Sequence, residues 1–73
     1  MDNLIKAIGG NVRRLRLRRG LTQEDLGEAA GIHYTFLGHI ERGNKAPSLP
    51  TLARIAQALG MPIASLLKGF PQN

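Results

Sequence analysis

Apolar residues recur at helical spacing along most of the chain. In the first segment they follow an i, i+3, i+7, i+10 pattern formed by Ile5, Ile8, Val12 and Leu15. This spacing predicts an amphipathic helix over about 4–19, with Asp2 or Asn3 at its N-cap. Gly9 and Gly10 together cost this helix about 2 kcal/mol of propensity. We therefore expect the helix to depend on packing against the rest of the chain.

The next apolar stripe predicts a short helix over about 23–30 and consists of Leu26, Ala29 and Ala30. Thr22 stands at the N-cap, and Asp25 is a shortened form of the capping-box partner. A glycine inside a helix usually marks the close approach of another helix, which we expect at Gly27. Gly31 can take the left-handed conformation that ends a helix.

A second short helix follows that turn at once and begins near His33 or Tyr34. Leu37 and Ile40 mark its inward side. The remaining residues form one exposed face with a single formal charge: Tyr34, Thr35, Gly38, His39 and Arg42. Two short helices at a steep angle, one of which carries such a face, suit a protein that lays a helix in the major groove of DNA.

Two more helices are predicted in the last third of the chain. Ser48 caps the first, which runs to about Leu59 with an apolar stripe of Leu49, Leu52, Ile55, Ala56 and Leu59. The last covers about 62–68 and carries Ile63, Leu66 and Leu67, with Phe70 just beyond. Residues 69–73 should be frayed. The pattern therefore predicts an all-α, five-helix fold in a single domain over residues 1–73.

Composition narrows the class of protein. Ten Lys and Arg against five Asp and Glu give a formal charge of +5, which fits polyanion binding but is weak evidence alone. The absence of cysteine rules out disulfides and thiolate metal sites. We expect no other metal site, because His33 and His39 point in different directions and lack a third ligand. The chain carries neither a membrane-length apolar run nor a signal peptide, so we expect a cytoplasmic protein.

From Gly9 to Leu67 the chain resembles the lambda-repressor-like helix-turn-helix family, also called XRE or Cro-type. The resemblance rests on LRLRRGLTQEDLGEAAGI (15–32), HYTFLGHIERG (33–43) and PSLPTLARIAQALG (47–60). It implies a helix-turn-helix at about 22–42 and a sequence-specific transcriptional regulator that binds double-stranded DNA. It also implies a homodimer on a two-fold symmetric operator, with regulation of its own gene. We expect no enzymatic activity, because no nucleophile–base constellation is present, and no cofactor or small-molecule ligand.

The resemblance assigns one structural and three phosphate-binding roles. It implies an ion pair between Arg16 and Glu41. Gln23 stands at a helix N-terminus, where free N–H groups attract a phosphate, and the family uses its matching glutamine in this way. Asn44 and Lys45 match a loop that meets phosphate on the far side of the groove.

Five residues are candidates for contacts with base edges: His33, Tyr34, Thr35, His39 and Arg42. His33 stands where the family usually has serine or threonine, which indicates either a contact role or a slightly frayed helix start. Arg42 lies at the helix end and can take a phosphate instead. Since bidentate readers of adenine or guanine are missing at the deepest positions, we expect DNA shape to carry part of the specificity. Gly38 can allow close approach of the DNA backbone.

The C-terminal helix is the candidate dimer interface, formed by Ile63, Leu67 and Phe70. The alternative is that these side chains cover the core of the monomer. We expect no sensor domain, which points to the minimal members of the family: restriction–modification controller proteins, phage regulators or antitoxins. The chain looks most like a controller protein. The alternative function is an antitoxin-like module that holds a partner protein through its C-terminal helix.

Overall fold

The computed structural model describes residues 2–69 and confirms the all-α fold. Four α-helices follow one another: α1 (Asp2–Arg18), α2 (Gln23–Ala30), α3 (Tyr34–Glu41) and α4 (Leu49–Leu59). The fifth element, Ile63–Leu67, is a 3-10 helix and not the predicted α-helix. Pro62 at its start makes no side-chain capping bond, and five residues are too few to repay the nucleation of an α-helix. Phe70 lies outside the described residues.

The N-terminus of α2 is closed by a reciprocal pair of hydrogen bonds. The backbone N–H of Asp25 donates to Thr22 Oγ1 at 3.0 Å, and the N–H of Thr22 donates to Asp25 Oδ2 at 3.0 Å. The first of these satisfies a helix N–H that has no partner within the helix. The Thr22 N–H, followed by the Thr22 hydroxyl, holds the pKa of the Asp25 carboxyl below its usual value. The shortened capping box is thus confirmed.

One hydrophobic core is formed where the helices pack against one another. α1 packs against α3 and the 3-10 helix, while α2 packs against α3 and α4. Seven large side chains are almost completely buried: Val12, Leu26, Leu37, Ile40, Ile55, Leu59 and Leu66. Two members of the predicted stripes are exposed, which corrects the sequence analysis. Ala29 does not lie on the side of α2 that packs against α4. Leu49 is 69% exposed, because the first turn of α4 extends beyond the core.

The contact between α1 and α3 is close enough to require a glycine. A methyl group at Gly9 would overlap the carbonyl oxygen of Ile40 and would lie 2.8 Å from that of Glu41. At Gly10, one residue on, the same methyl would meet nothing within 4 Å. Gly9 therefore sets the separation of the two helices. Helix propensity is the same for both glycines, so the sequence alone did not reveal this difference.

Asn11 fastens the C-terminal segment to α1. Its Nδ2 donates to the backbone carbonyls of Leu66 at 2.9 Å and Lys68 at 2.8 Å, and its Oδ1 accepts from Arg14 at 2.8 Å. Asn11 is only 8% exposed, and its bond to the Leu66 carbonyl is buried. A buried asparagine in an otherwise apolar helix face is the only sequence signal for this contact.

Candidate nucleic-acid interface

The helix-turn-helix is formed by α2, a three-residue turn and α3. Gly31 ends α2 at φ 73°, and the N–H of Ile32 donates back to the Gly27 carbonyl at 2.9 Å. A methyl group at Gly27 would lie 2.7 Å from the Ile32 carbonyl oxygen and 3.3 Å from the Tyr34 nitrogen. Gly27 is therefore the point of close approach that the sequence predicted, and the element that approaches is the turn together with the first residue of α3.

His33 caps the N-terminus of α3. The backbone N–H of Thr35 donates to His33 Nδ1 at 3.1 Å, and the His33 backbone is extended, as an N-cap requires. The His33 ring also stacks on that of Tyr34, with centroids 4.7 Å apart. The frayed start considered in the sequence analysis is therefore wrong, because the imidazole replaces the usual hydroxyl as the acceptor.

The outward face of α3 is narrower than predicted. Tyr34, Thr35 and Arg42 are exposed and His39 is half-buried, but Gly38 is buried. A methyl group at Gly38 would lie 3.2 Å from Arg42 Nη1 and 3.5 Å from Gln23 Nε2. Gly38 thus provides space for these two side chains to cross the helix. The predicted base-contact residues all belong to this helix or its ends. His33 lies at its start, Tyr34, Thr35 and His39 lie within it, and Arg42 lies at its end.

A buried ion pair fixes α3 against α1. Arg16 Nε lies 2.7 Å from Glu41 Oε2, and Arg16 Nη2 donates to Glu41 Oε1 at 3.0 Å. The side chains are 8% and 3% exposed. The remaining Arg16 Nη1 donates to the Leu21 carbonyl at 2.8 Å, just before α2. The Arg16–Glu41 pair that the resemblance implied is present, and it joins three elements at the base of the interface.

Gln23 extends this network to the surface. Its Nε2 donates to Glu41 Oε1 at 3.1 Å, so the side chain is held in place at the first turn of α2. A primary amide has two N–H donors. The second N–H remains for a phosphate oxygen, together with the free backbone N–H groups of the helix N-terminus. Contact with phosphate stays a prediction.

Arg42 and His39 are paired on the same face. Arg42 Nη2 lies 3.3 Å from His39 Nδ1. Past them, Gly43 turns the chain out of α3 at φ 76°, and the N–H of Asn44 donates back to the His39 carbonyl at 2.9 Å. The side chains of Asn44 and Lys45 are exposed in the loop that follows. This exposure leaves both available to phosphate, and their contact with phosphate stays a prediction.

The predicted dimer residues divide between core and surface. Ile63 is partly buried against the core, while Leu66, which was not among the predicted interface residues, is fully buried. Leu67 is 37% exposed. Ile63 therefore contributes to the monomer core, which was the alternative considered for all three residues. Phe70, the third predicted residue, lies outside the described part of the chain.

Other kinds of site find little support in the described residues. Within residues 2–69 no group of three or more His, Cys, Asp or Glu is placed to hold a metal ion. None of the described helices is long and apolar enough to cross a membrane. One open groove of about 550 Å³ lies beside the interface; its lining includes Leu17, Leu21, Gln23 and Tyr34.

The fold and this polar face define a DNA-binding helix-turn-helix domain. A family model described as "Helix-turn-helix" matches residues 12–66. The chain belongs to this XRE-type, lambda-repressor-like family of DNA-binding transcriptional regulators.

The chain is also similar to individual regulators of this kind. It is 43% identical over 56 residues to the HTH-type transcriptional regulator y4dJ of Sinorhizobium fredii, which covers 77% of this chain and 73% of y4dJ. The crystal structure of the restriction-modification controller protein C.AhdI from Aeromonas hydrophila matches 85% of this chain and 94% of its own, with 32% identity and a TM-score of 0.83. The biofilm regulator SinR, crystallised in complex with DNA, matches 84% of this chain and 98% of its own, with 29% identity and a TM-score of 0.79.

Proposed function

We propose that this protein is a homodimeric, sequence-specific regulator that lays α3 in the major groove of a two-fold symmetric operator. The observation that carries this proposal is the Arg16–Glu41–Gln23 network, with bonds of 2.7 to 3.1 Å. It holds the first turn of α2 and the end of α3 in one rigid arrangement. A binding surface held in advance loses less conformational freedom when it meets DNA.

Affinity comes mainly from contacts with phosphate. Gln23, Asn44 and Lys45 lie on either side of α3 along the chain, and all three have polar groups open to solvent. Their separation suits two phosphate contacts that flank the groove in which α3 lies. The formal charge of +5 adds a general attraction to DNA that weakens as salt rises.

Specificity comes from the polar end of α3. Tyr34 and Thr35 are exposed in its first turn, and His39 lies one turn further on. The threonine methyl group suits a thymine methyl, and the hydroxyl groups suit base edges or phosphates. Arg42 lies across Gly38, and its guanidinium has further N–H donors for a base or a phosphate while it stays beside His39. The small number of direct readers leaves a further share of specificity to DNA shape.

The dimer forms through the C-terminal segment. Leu67 is exposed although Leu66 beside it is fully buried, so the segment has both an inward and an outward apolar side. A second copy that covers the outward side would place two α3 helices about one helical turn of DNA apart. Ile63 contributes at the edge of this interface, and we include Phe70 on sequence grounds alone.

Among family subtypes we propose a restriction–modification controller that also regulates its own gene. The similarity to C.AhdI supports this choice, because the match covers nearly all of that short chain. The competing subtype is an antitoxin-like module whose C-terminal segment holds a different protein. The two differ in what covers Leu67.

The test is binding to the protein's own upstream DNA and to random duplex, across roughly 50 to 200 mM salt. We expect specific binding that survives the higher salt, with two protomers per site. Weak binding that disappears equally on both duplexes would refute the proposal and favour the antitoxin-like alternative.

Two classes of variant test whether phosphate contacts supply affinity and base contacts supply specificity. His39→Ala or Thr35→Ala should lower the ratio of operator to random binding, whereas Lys45→Ala should weaken both about equally. Equal losses in all three variants would refute the assignment. Gln57→Ala, which changes an exposed and uncharged side chain of α4, is the control.

A further inference from the structure

Each histidine of the interface has its Nδ1 against a group that can only donate. The backbone N–H of Thr35 lies 3.1 Å from Nδ1 of His33, and the Arg42 guanidinium lies 3.3 Å from Nδ1 of His39. Neither a backbone amide nitrogen nor a guanidinium has a lone pair available to accept. Nδ1 must therefore be the acceptor in both neutral rings, which places the ring proton on Nε2.

We propose that His33 and His39 read DNA as fixed hydrogen-bond donors through Nε2–H. The inference rests on the proposed function and concerns the same face of α3. For either ring to accept at Nε2, its proton would have to move to Nδ1. At His33 that move removes the cap of α3, and at His39 it directs an N–H against a cation. The contacts within the protein therefore disfavour the accepting tautomer.

The other polar side chains of α3 are also mainly hydrogen-bond donors. Arg42 only donates, and the one carboxylate of the helix, Glu41, has a side chain that is 3% exposed and bound to Arg16. Only the hydroxyl groups of Tyr34 and Thr35 can accept a hydrogen bond from a base. The face is thus rich in donors and poor in acceptors, and it suits base edges of the opposite kind.

Because the bases differ in the hydrogen-bond acceptors that they present in the major groove, a surface of donors implies a base preference. Guanine presents two acceptors there, O6 and N7, whereas adenine presents N7 beside an amino group and cytosine presents only an amino group. A fixed donor is satisfied by guanine N7 or O6 and meets another donor at cytosine. Thymine presents one acceptor, O4, beside its methyl group. We therefore expect guanine at the positions that face the two histidines, adenine or thymine as a weaker substitute and cytosine excluded.

The tautomers can be tested without DNA. Long-range proton–nitrogen NMR correlation on the labelled full chain, at mildly alkaline pH, distinguishes a protonated ring nitrogen from an unprotonated one. We expect Nε2 to be protonated in both rings. Arg42→Leu removes the donor at His39 alone, so the Nδ1 signal of His39 should shift and that of His33 should not. A proton on Nδ1 of either ring in the wild type would overturn the proposal.

The base preference is tested on duplexes selected from a random pool by the wild-type protein. Guanines of the selected half-site are replaced one at a time with 7-deazaguanine, which keeps Watson–Crick pairing and lacks N7. We expect a loss of about three- to tenfold at the guanines that face the histidines, as for one neutral hydrogen bond. His39→Ala should abolish one of these losses. His33→Asp should abolish the other, since aspartate keeps the N-cap but has no N–H donor.

The outcomes separate this inference from the proposed function. A selected operator whose affinity is insensitive both to 7-deazaguanine and to 6-thioguanine, in which a weakly accepting sulfur replaces O6, would overturn the inference and leave the proposed function standing. Equal sensitivity in the wild type and in both variants would do the same. Failure to enrich any sequence would refute the proposed function and the inference with it.

Discussion

Substituting alanine at two adjacent glycines should change stability in opposite directions. Gly9 and Gly10 both lie inside α1, so each replacement relieves the same helix-propensity cost of about 1 kcal/mol. They differ in what the new methyl group meets. At Gly10 it meets nothing within 4 Å, whereas at Gly9 it overlaps the Ile40 carbonyl oxygen and lies 3.0 Å from the carbonyl carbon of Glu41.

The size of each effect follows from these contacts. Gly10→Ala retains the full propensity gain and should stabilise the protein by about 0.5 to 1 kcal/mol. Gly9→Ala meets backbone atoms, which cannot rotate away as a side chain does, so α1 and α3 must separate. Overpacking of this kind costs about 1 to 3 kcal/mol or more. Because the displaced backbone belongs to Ile40 and Glu41, the buried ion pair to Arg16 should also be strained, which adds to the loss.

The assay is thermal and urea unfolding of both variants beside the wild type, followed by far-ultraviolet circular dichroism. One kcal/mol shifts the melting temperature of a domain this size by roughly 4 to 8 °C. Gly10→Ala should therefore melt above the wild type, and Gly9→Ala below it, with the two variants at least about 4 °C apart. If both variants were stabilised to the same extent, α1 and α3 would not be in the close contact described here.

Three further predictions concern polar contacts. Asn11→Ala leaves two backbone carbonyls of the C-terminal segment without their donor and should cost about 1 to 3 kcal/mol in urea unfolding; the exposed Arg13→Ala should change stability by less than about 0.5 kcal/mol. Glu41→Gln leaves the charge of Arg16 buried without its partner and should cost about 3 to 5 kcal/mol in urea, whereas a neutral effect would mean that water reaches the pair. Asp25 has a lowered pKa in the folded protein, so its contribution is present above its ordinary pKa of 3.8 and is lost as pH falls through the lowered value. Asp25→Ala should thus melt below the wild type at neutral pH and converge with it in strong acid, and a constant difference would contradict this.

The helix-turn-helix was well predicted because its signals are local. The N-cap Thr22, its partner Asp25 and the turn glycine Gly31 act within a few residues of one another, and the structure places α2 at Gln23–Ala30 as expected. Ser48 and Gly60 bound α4 in the same way. The resemblance added the Arg16–Glu41 pair, which joins residues 25 positions apart and has no local signal.

Tertiary structure alone decided which polar and small residues support the interface. Asn11 bonds to carbonyls 55 and 57 positions away, and Gly9 meets the end of a helix that its own sequence neighbourhood does not reveal. The exposure of Ala29 and Leu49 likewise depends on where other helices end, which periodicity within one helix cannot indicate.

The sequence by itself therefore determined α2 and α4 with their caps, and the family, because helix propensity, capping and apolar periodicity act over one or two turns. The tertiary structure decided the distance between α1 and α3, the anchoring of the C-terminal segment and the tautomers of both histidines. The first two depend on elements that are distant in sequence and meet only after folding. The tautomers depend on the rotamers of His33, His39 and Arg42, which a residue pattern does not specify.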